Sequence, residues 1–413
     1  MRYHWLSAGL TALALALAGP AAARSKAVTT LDGRRLSPVQ VDADVRELMA
    51  SNAVVGLDVA LIRDGQVVYA RAFGERNVEQ GLPMTPQTVI YGASLTKATF
   101  AYLVMQLVQE GRIDLDRPTA DYLPKPLPDY PKYADLAGDA RWRRLTFRSL
   151  MNHTTGFANF RFLEPDGKLR FHHDPGTRFG YSGEGINLAQ FVLEQGLGLD
   201  VGAEMQRRIF APLGMSRTSL TWRADFAGDV ADGYLKDGSL KAHHRREDVR
   251  AAGSMDTTLD DWSKFLAAVS RGDGLTRRAR AELTRRSIDI DSMTQFPTLS
   301  EAATDAYRPI RLGYAVGWAV YETPYGHAFF KEGHDDGAGN FALCVQAQRA
   351  CILLLSNSDR AEGIYKAMVE RLLGPVNLPW RWQGYIPATV GVAGVRPAAP
   401  RAPPPAPALP PRP

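Results

Sequence analysis

The sequence predicts an α/β fold of the α+β type, with a mainly antiparallel sheet built from both ends of the chain and flanked by helices. A mostly helical region is inserted between the two halves of that sheet. Three observations carry this. β-rich runs lie near the N-terminal end at Val54 to Ile62 and Gln66 to Phe73, and return only at Gly313 to Tyr321, His327 to Lys331, Phe341 to Gln346 and Cys351 to Leu355. The stretch from Arg112 to about Pro309 reads as helices and loops with proline punctuation. The first two runs meet at Asp64-Gly65, a hairpin signal that makes them antiparallel neighbours.

In chain order, Arg2 precedes an apolar run, Leu6 to Ala18, and Gly19-Pro20 then leads to Ala21-Ala22-Ala23. This pattern predicts a secretory signal over residues 1–23, and hence a secreted or periplasmic protein. The run falls short of the ~20 apolar residues of a spanning helix, so no stable membrane span is expected. A main domain is expected over 28–375, with its sheet from 54–93 and 310–373 and its helical region at 94–309. An extension at 376–394 then leads to a Pro-, Ala- and Arg-dominated tail at 395–413, too poor in core-forming residues to fold. Within the domain, Leu95, Phe100, Leu103, Val104, Leu107 and Val108 form an apolar stripe at helical spacing, with Gly111 placed to cap its end. Further helices are predicted near Ile186 to Gln195, Leu259 to Val269 and Gly363 to Leu373.

With 413 residues, 45% of them hydrophobic and 23% charged, the chain can bury a large core. The net charge of +5 is spread over short clusters without a sustained basic stripe, which argues against a nucleic-acid partner. The two cysteines, Cys344 and Cys351, face each other across a hairpin if its turn centres on Ala347 and Gln348. A disulfide and a pair of buried free thiols are both compatible with that placement.

Three segments carry chemistry. In Tyr91-Gly92-Ala93-Ser94-Leu95-Thr96-Lys97, residues three apart on a helix share a face, so the Lys97 amine can reach the Ser94 hydroxyl. A serine at a helix start also has its backbone N–H free for an oxyanion. In Phe179-Gly180-Tyr181-Ser182-Gly183, Tyr181 near a lysine could be a phenolate base, could share its proton with the amine, or could be purely structural. In Gly333-His334-Asp335-Asp336-Gly337, the glycines let backbone N–H groups approach a ligand, and His334 could touch substrate or shuttle a proton; a tight turn with solvated acids is the plainer interpretation. Metal chemistry is disfavoured because His172-His173-Asp174 and His243-His244 lack ligand spacing, and no metal or cofactor is expected. A nucleophile elbow of the α/β-hydrolase kind is disfavoured because Gly92-Ala93-Ser94-Leu95-Thr96 lacks the second glycine.

Taken together, these segments resemble the serine β-lactamase-related family, the class C type together with penicillin-binding-protein-like esterases and peptidases. The likeness runs from about Val54 to Lys366. It also rests on Leu150-Met151-Asn152-His153-Thr154-Thr155-Gly156, Pro212-Leu213-Gly214-Met215 and Ala251-Ala252-Gly253-Ser254. The resemblance implies an acyl-enzyme on Ser94 with Lys97 and Tyr181 as catalytic partners. It also implies an oxyanion hole from Ser94 and Gly337 N–H groups, with Gly183, His334, Asp335 and Asp336 facing substrate. The expected substrates are small molecules or peptides carrying ester or amide bonds, cell-wall peptides and β-lactams among them. A binding or sensing protein with little turnover is the alternative. Two departures bear on specificity. Gly183 stands where the family's Tyr-x-Asn motif has asparagine, and His334-Asp335-Asp336 stands in the place of Lys-Thr-Gly, so a fixed cation for a substrate carboxylate is missing. Anionic β-lactams are therefore expected to be poorer substrates than neutral or cationic esters and small D-amino acid amides.

Overall fold

The structure is a computed structural model that describes residues 27–385. The signal over 1–23 and the tail beyond 395 lie outside the described residues. Helix α1 (Pro38–Ser51) opens the fold, followed by strands β1 (Gly56–Arg63), β2 (Gln66–Asn77) and β3 (Leu82–Pro83). Helices α2 (Leu95–Gln109), α3 (Gly183–Leu197) and α4 (Leu259–Arg271) belong to the intervening region. Strands β4 (Ile288–Asp289), β5 (Gly313–Tyr314), β6 (Ala319–Thr323), β7 (Gly326–Asp335), β8 (Ala338–Val345) and β9 (Ala350–Ser356) follow, and helix α5 (Tyr365–Leu372) packs back on the sheet.

These strands form one nine-stranded antiparallel sheet in the order β4-β5-β6-β7-β8-β9-β1-β2-β3. The two ends of the chain meet where β9 pairs with β1, Leu353 opposite Ala60, as the split distribution of β-rich runs predicts. Side chains alternate across the sheet: Phe329 and Leu353 join the apolar cluster around α2, while Phe330 and Leu354 join the one around α1 and α5. Burial on both faces explains why β8 and β9 read as near-continuous apolar runs. Asp64 and Gly65 both adopt positive φ, 52° and 75°, and close the β1–β2 hairpin. Cys344 lies opposite Cys351 and is bonded to it, which resolves the two sequence alternatives in favour of the disulfide.

Four features depart from the sequence expectation. Helix α1 was not foreseen, although Ser37 and Gln40 form a reciprocal capping box around Pro38 and Val41, Val45 and Leu48 share its buried face. Ile90–Tyr91 leaves the main sheet and pairs with Asp256–Thr257 instead. Ile288–Asp289, inside the region expected to be helical, adds the edge strand β4. The extension set off at 376 continues into the fold as far as Tyr385, with Trp380, Trp382 and Tyr385 buried against Phe341 and Phe330.

Candidate active site

Ser94 is the N-cap of α2, and its hydroxyl caps no backbone group of that helix. The turn before it is sharp: Ala93 has φ 45°, a left-handed conformation that costs a non-glycine residue roughly 1–2 kcal/mol. Three bonds from neighbouring chain hold that turn. The Gly92 N–H donates to the Met255 carbonyl (2.8 Å), the Thr96 hydroxyl donates to the Ala93 carbonyl (2.6 Å), and the Met255 N–H donates to the Thr96 hydroxyl oxygen (3.1 Å). The small strand pair at Ile90–Tyr91 and Asp256–Thr257 therefore clamps the start of α2 to the Ala251–Ser254 loop.

One helical turn on, Lys97 is buried and its Nζ lies 2.9 Å from Ser94 Oγ. It also donates to the Ala252 carbonyl at 2.5 Å, so that loop aims the amine at the hydroxyl. Burial drives the Lys97 pKa well below the ordinary lysine value; the nearby Lys331 charge pushes the same way and Glu332 opposes it.

Tyr181 comes from the loop entering α3, and its ring packs against His153 with centroids 4.2 Å apart. The Asn152-His153-Thr154 turn positions this tyrosine: the Ser182 N–H donates to His153 Nδ1 (3.2 Å) and the Gly180 N–H to the His153 carbonyl (2.8 Å). Burial, followed by repulsion from Glu332, raises the Tyr181 pKa well above that of a free phenol, and the neighbouring Ser94 hydroxyl pulls it partly back. Of the sequence alternatives, the phenolate is thus the one the environment disfavours. Lys97 and Tyr181 are near neighbours, with the amine 5.1 Å from the ring centre.

The residue that sequence reasoning missed is Lys331. It is fully buried on β7, and its Nζ donates to the Tyr181 hydroxyl (3.0 Å), the Glu332 carboxylate (2.6 Å) and the Glu332 carbonyl (3.0 Å). A buried charge needs a partner, and Glu332 is that partner, itself held by Gln295 (2.8 Å). Two residues later Gly333 brings β7 against the start of α2. A Cβ there would lie 2.6 Å from the Gly92 carbonyl and 3.2 Å from the Leu95 nitrogen, so only glycine allows this approach. The signal was available: Lys331 and Glu332 are adjacent opposite charges directly after the apolar run Ala328-Phe329-Phe330 of the same strand.

Two of the expected site residues are engaged elsewhere. The Gly337 N–H is committed to the Asp359 carboxylate (2.6 Å) and Gly337 packs on Gly233, away from α2, so it is not placed to meet an oxyanion at Ser94. His334, one residue past Gly333, points to the opposite face of the sheet and pairs with Glu362 (2.7 Å), which raises its pKa. Asp335 and Asp336 sit exposed at the strand end, with Asp336 near Lys241 (3.5 Å). All three, with Ser94, line a cleft of about 1060 Å³. Gly183 is buried behind another side of that cleft, where Phe160 covers it. The histidines considered as metal ligands have other contacts: His172 bonds to Glu164 (2.6 Å), and His243 lies 3.2 Å from the buried Asp256.

A family model described as Beta-lactamase matches residues 41–374. The chain is 23% identical over 352 residues to a Beta-lactamase from Pseudomonas fluorescens, covering 77% of this chain and 93% of that protein. It is 30% identical over 201 residues to Esterase EstB from Burkholderia gladioli, covering 49% and 45% of the two chains. Among solved structures, D-alanine Carboxypeptidase AmpC from Burkholderia cenocepacia superposes with a TM-score of 0.64 at 20% identity, over 80% of this chain and 98% of that one. The octameric penicillin-binding protein homologue from Pyrococcus abyssi gives the same TM-score at 23% identity, over 82% and 79%. At these identities the structural likeness establishes the fold.

Proposed function

Because the chain belongs to the Beta-lactamase family, we propose that it is a serine hydrolase that opens ester or amide bonds through an acyl-enzyme on Ser94. The observation that carries this is the buried Lys97 amine 2.9 Å from the Ser94 hydroxyl, in surroundings that favour its neutral form. A neutral amine can take the hydroxyl proton as Oγ attacks the carbonyl carbon; an ammonium cannot. The Ser94 N–H, at the start of α2, donates to the developing oxyanion. The second donor is assigned to the Gly333–His334 stretch of β7, which lies against Gly92 and Leu95, in place of Gly337.

As the tetrahedral adduct collapses, the bond to the leaving group breaks and that group takes a proton from the Tyr181 phenol. The phenol is resupplied by the proton that Lys97 received. Lys331 lies against the Tyr181 oxygen and stabilises the charge that appears there transiently. Water then attacks the acyl-enzyme, with the same groups removing its proton, and Ser94 is released.

Esters and amides of small molecules or peptides are the proposed substrates, with β-lactams and D-amino acid or cell-wall peptides within that class. All three N–H donors of Lys331 are engaged inside the protein, so this cation cannot also grip a substrate carboxylate. Neutral esters are accordingly proposed as better substrates than anionic β-lactams. No helix among the described residues is long and apolar enough to cross a membrane. Export through the N-terminal signal is part of the proposal and rests on its sequence pattern. Intact-mass analysis after a fluorophosphonate tests the core of it: one adduct on Ser94, absent from Ser94→Ala, is expected. Full ester turnover by Ser94→Ala would overturn it.

A further inference from the structure

The cleft has one wall that the proposed chemistry does not use. Gly183, two residues past Tyr181, lies buried behind this wall. A Cβ at that position would lie 2.4 Å and 2.6 Å from Cε1 and Cζ of Phe160, so the phenyl ring occupies the volume a side chain would need. The ring stacks nearly parallel on Phe162, centroids 5.2 Å apart and planes at 11°. Phe162 is 72% exposed and the adjacent Leu163 60%, so together they form an exposed apolar patch of the kind that marks a binding surface. Phe160, Phe162 and Phe191 all line the same cleft as Ser94.

This aromatic wall is held rigidly. The Ser182 hydroxyl donates to the Ala158 carbonyl (2.9 Å), the Gly183 N–H to Asn159 Oδ1 (2.9 Å) and the Glu184 N–H to the Asn159 carbonyl (2.9 Å). Arg161 adds a two-pronged ion pair to Glu184, at 3.2 Å and 3.0 Å. The wall is also close to the reacting groups. Asn187, one turn of α3 after Gly183, accepts from the Ala252 N–H (3.3 Å), and the Ala252 carbonyl orients Lys97.

We infer that Phe160 and Phe162 form a subsite for a flat aromatic ring of the substrate, so that ring-bearing esters are preferred over esters without one. A ring laid against Phe162 would cover its exposed face and gain stacking and burial together, with the recipient surface already ordered. This inference deepens the proposed hydrolase activity and names its substrate class.

Ethyl phenylacetate and benzyl acetate, compared with ethyl acetate, test it in kcat/KM. Phe160→Ala should lower the preference for the ring-bearing ester roughly ten-fold or more, and the ester affected reports which half of the substrate carries the ring. Gly183→Asn should do the same by displacing the ring while keeping it in the protein. A second measurement needs no turnover: benzyl alcohol binding to Ser94→Ala, followed by NMR shifts, should be lost when Phe160→Ala is added. Unchanged ester ratios together with unchanged benzyl alcohol binding would overturn the subsite. Failure of the hydrolase proposal would look different, with no turnover of any ester by the wild-type protein while benzyl alcohol binding still depended on Phe160.

Discussion

The two sides of the site place a lysine beside a hydroxyl in different ways. On α2, Lys97 meets Ser94 because three residues of helix bring them to one face, and burial next to another cation lowers its pKa well below the ordinary lysine value. On β7, Lys331 meets Tyr181 across 150 positions of sequence, and its carboxylate partner is the very next residue. Burial lowers the pKa of both, but Glu332 counters it directly at Lys331. The contrast supports the proposed division of labour: burial favours the neutral amine at Lys97, and Glu332 favours the charged form at Lys331.

The sharpest way to break this contrast is at Lys97. Lys97→Ala should lower kcat by roughly 10³-fold or more, and Lys97→Arg should be equally inactive because a guanidinium does not give up its proton. Thermal melting should show that both proteins remain folded. On the strand side, Lys331→Met should cost about 10²-fold in kcat, since it removes a charge beside the phenol and leaves the base intact. Equal losses at the two positions would erase the distinction. Glu332→Gln should act on stability more than on rate: an ammonium left inside the protein without its carboxylate costs about 3–5 kcal/mol, readable by denaturant titration.

The same contrast explains what was legible in the sequence. Ser94 and Lys97 could be paired because helical spacing is a local rule, and the Asp64-Gly65 hairpin and the split sheet followed from equally local patterns. Tyr181 stood out in its glycine-rich loop, but only family resemblance favoured a catalytic over a structural role, since nothing near it in sequence reveals Lys331. The third segment was placed three residues late. Glycines and acids around His334 looked like a ligand loop, whereas Lys331 follows an apolar run, where a lysine reads as an outward-facing strand residue. Strand alternation sends Lys331 and Gly333 to the α2 side and His334 to the other, and the identity of that side depends on how nine strands pair. Phe160 was invisible for the same reason: Gly183 showed that a side chain was missing, not what replaced it.

The smallest expected effect comes from the residue the sequence favoured. His334→Ala should change kcat/KM less than about threefold, because its side chain faces Glu362 and not Ser94. Its contribution to stability should depend on pH. The folded pKa is raised above the unfolded value, so the pairing with Glu362 is complete below about pH 6.5 and is lost as pH climbs through the folded value. With half of the side chain exposed, solvent screening keeps this contribution under about 1 kcal/mol. Denaturant midpoints of wild type and His334→Ala at pH 5.5 and 8.5 would measure it.

The proton-accepting state of Lys97 is best tested by the rate at which a fluorophosphonate labels Ser94 as a function of pH, followed by intact mass. Labelling that holds its full rate down through neutral pH, with its acid limb far below the ordinary lysine pKa, is the expected result. A rate that climbs only as pH approaches about 10, where a solvated lysine loses its proton, would mean that Lys97 is an ordinary ammonium and that Ser94 is activated in some other way.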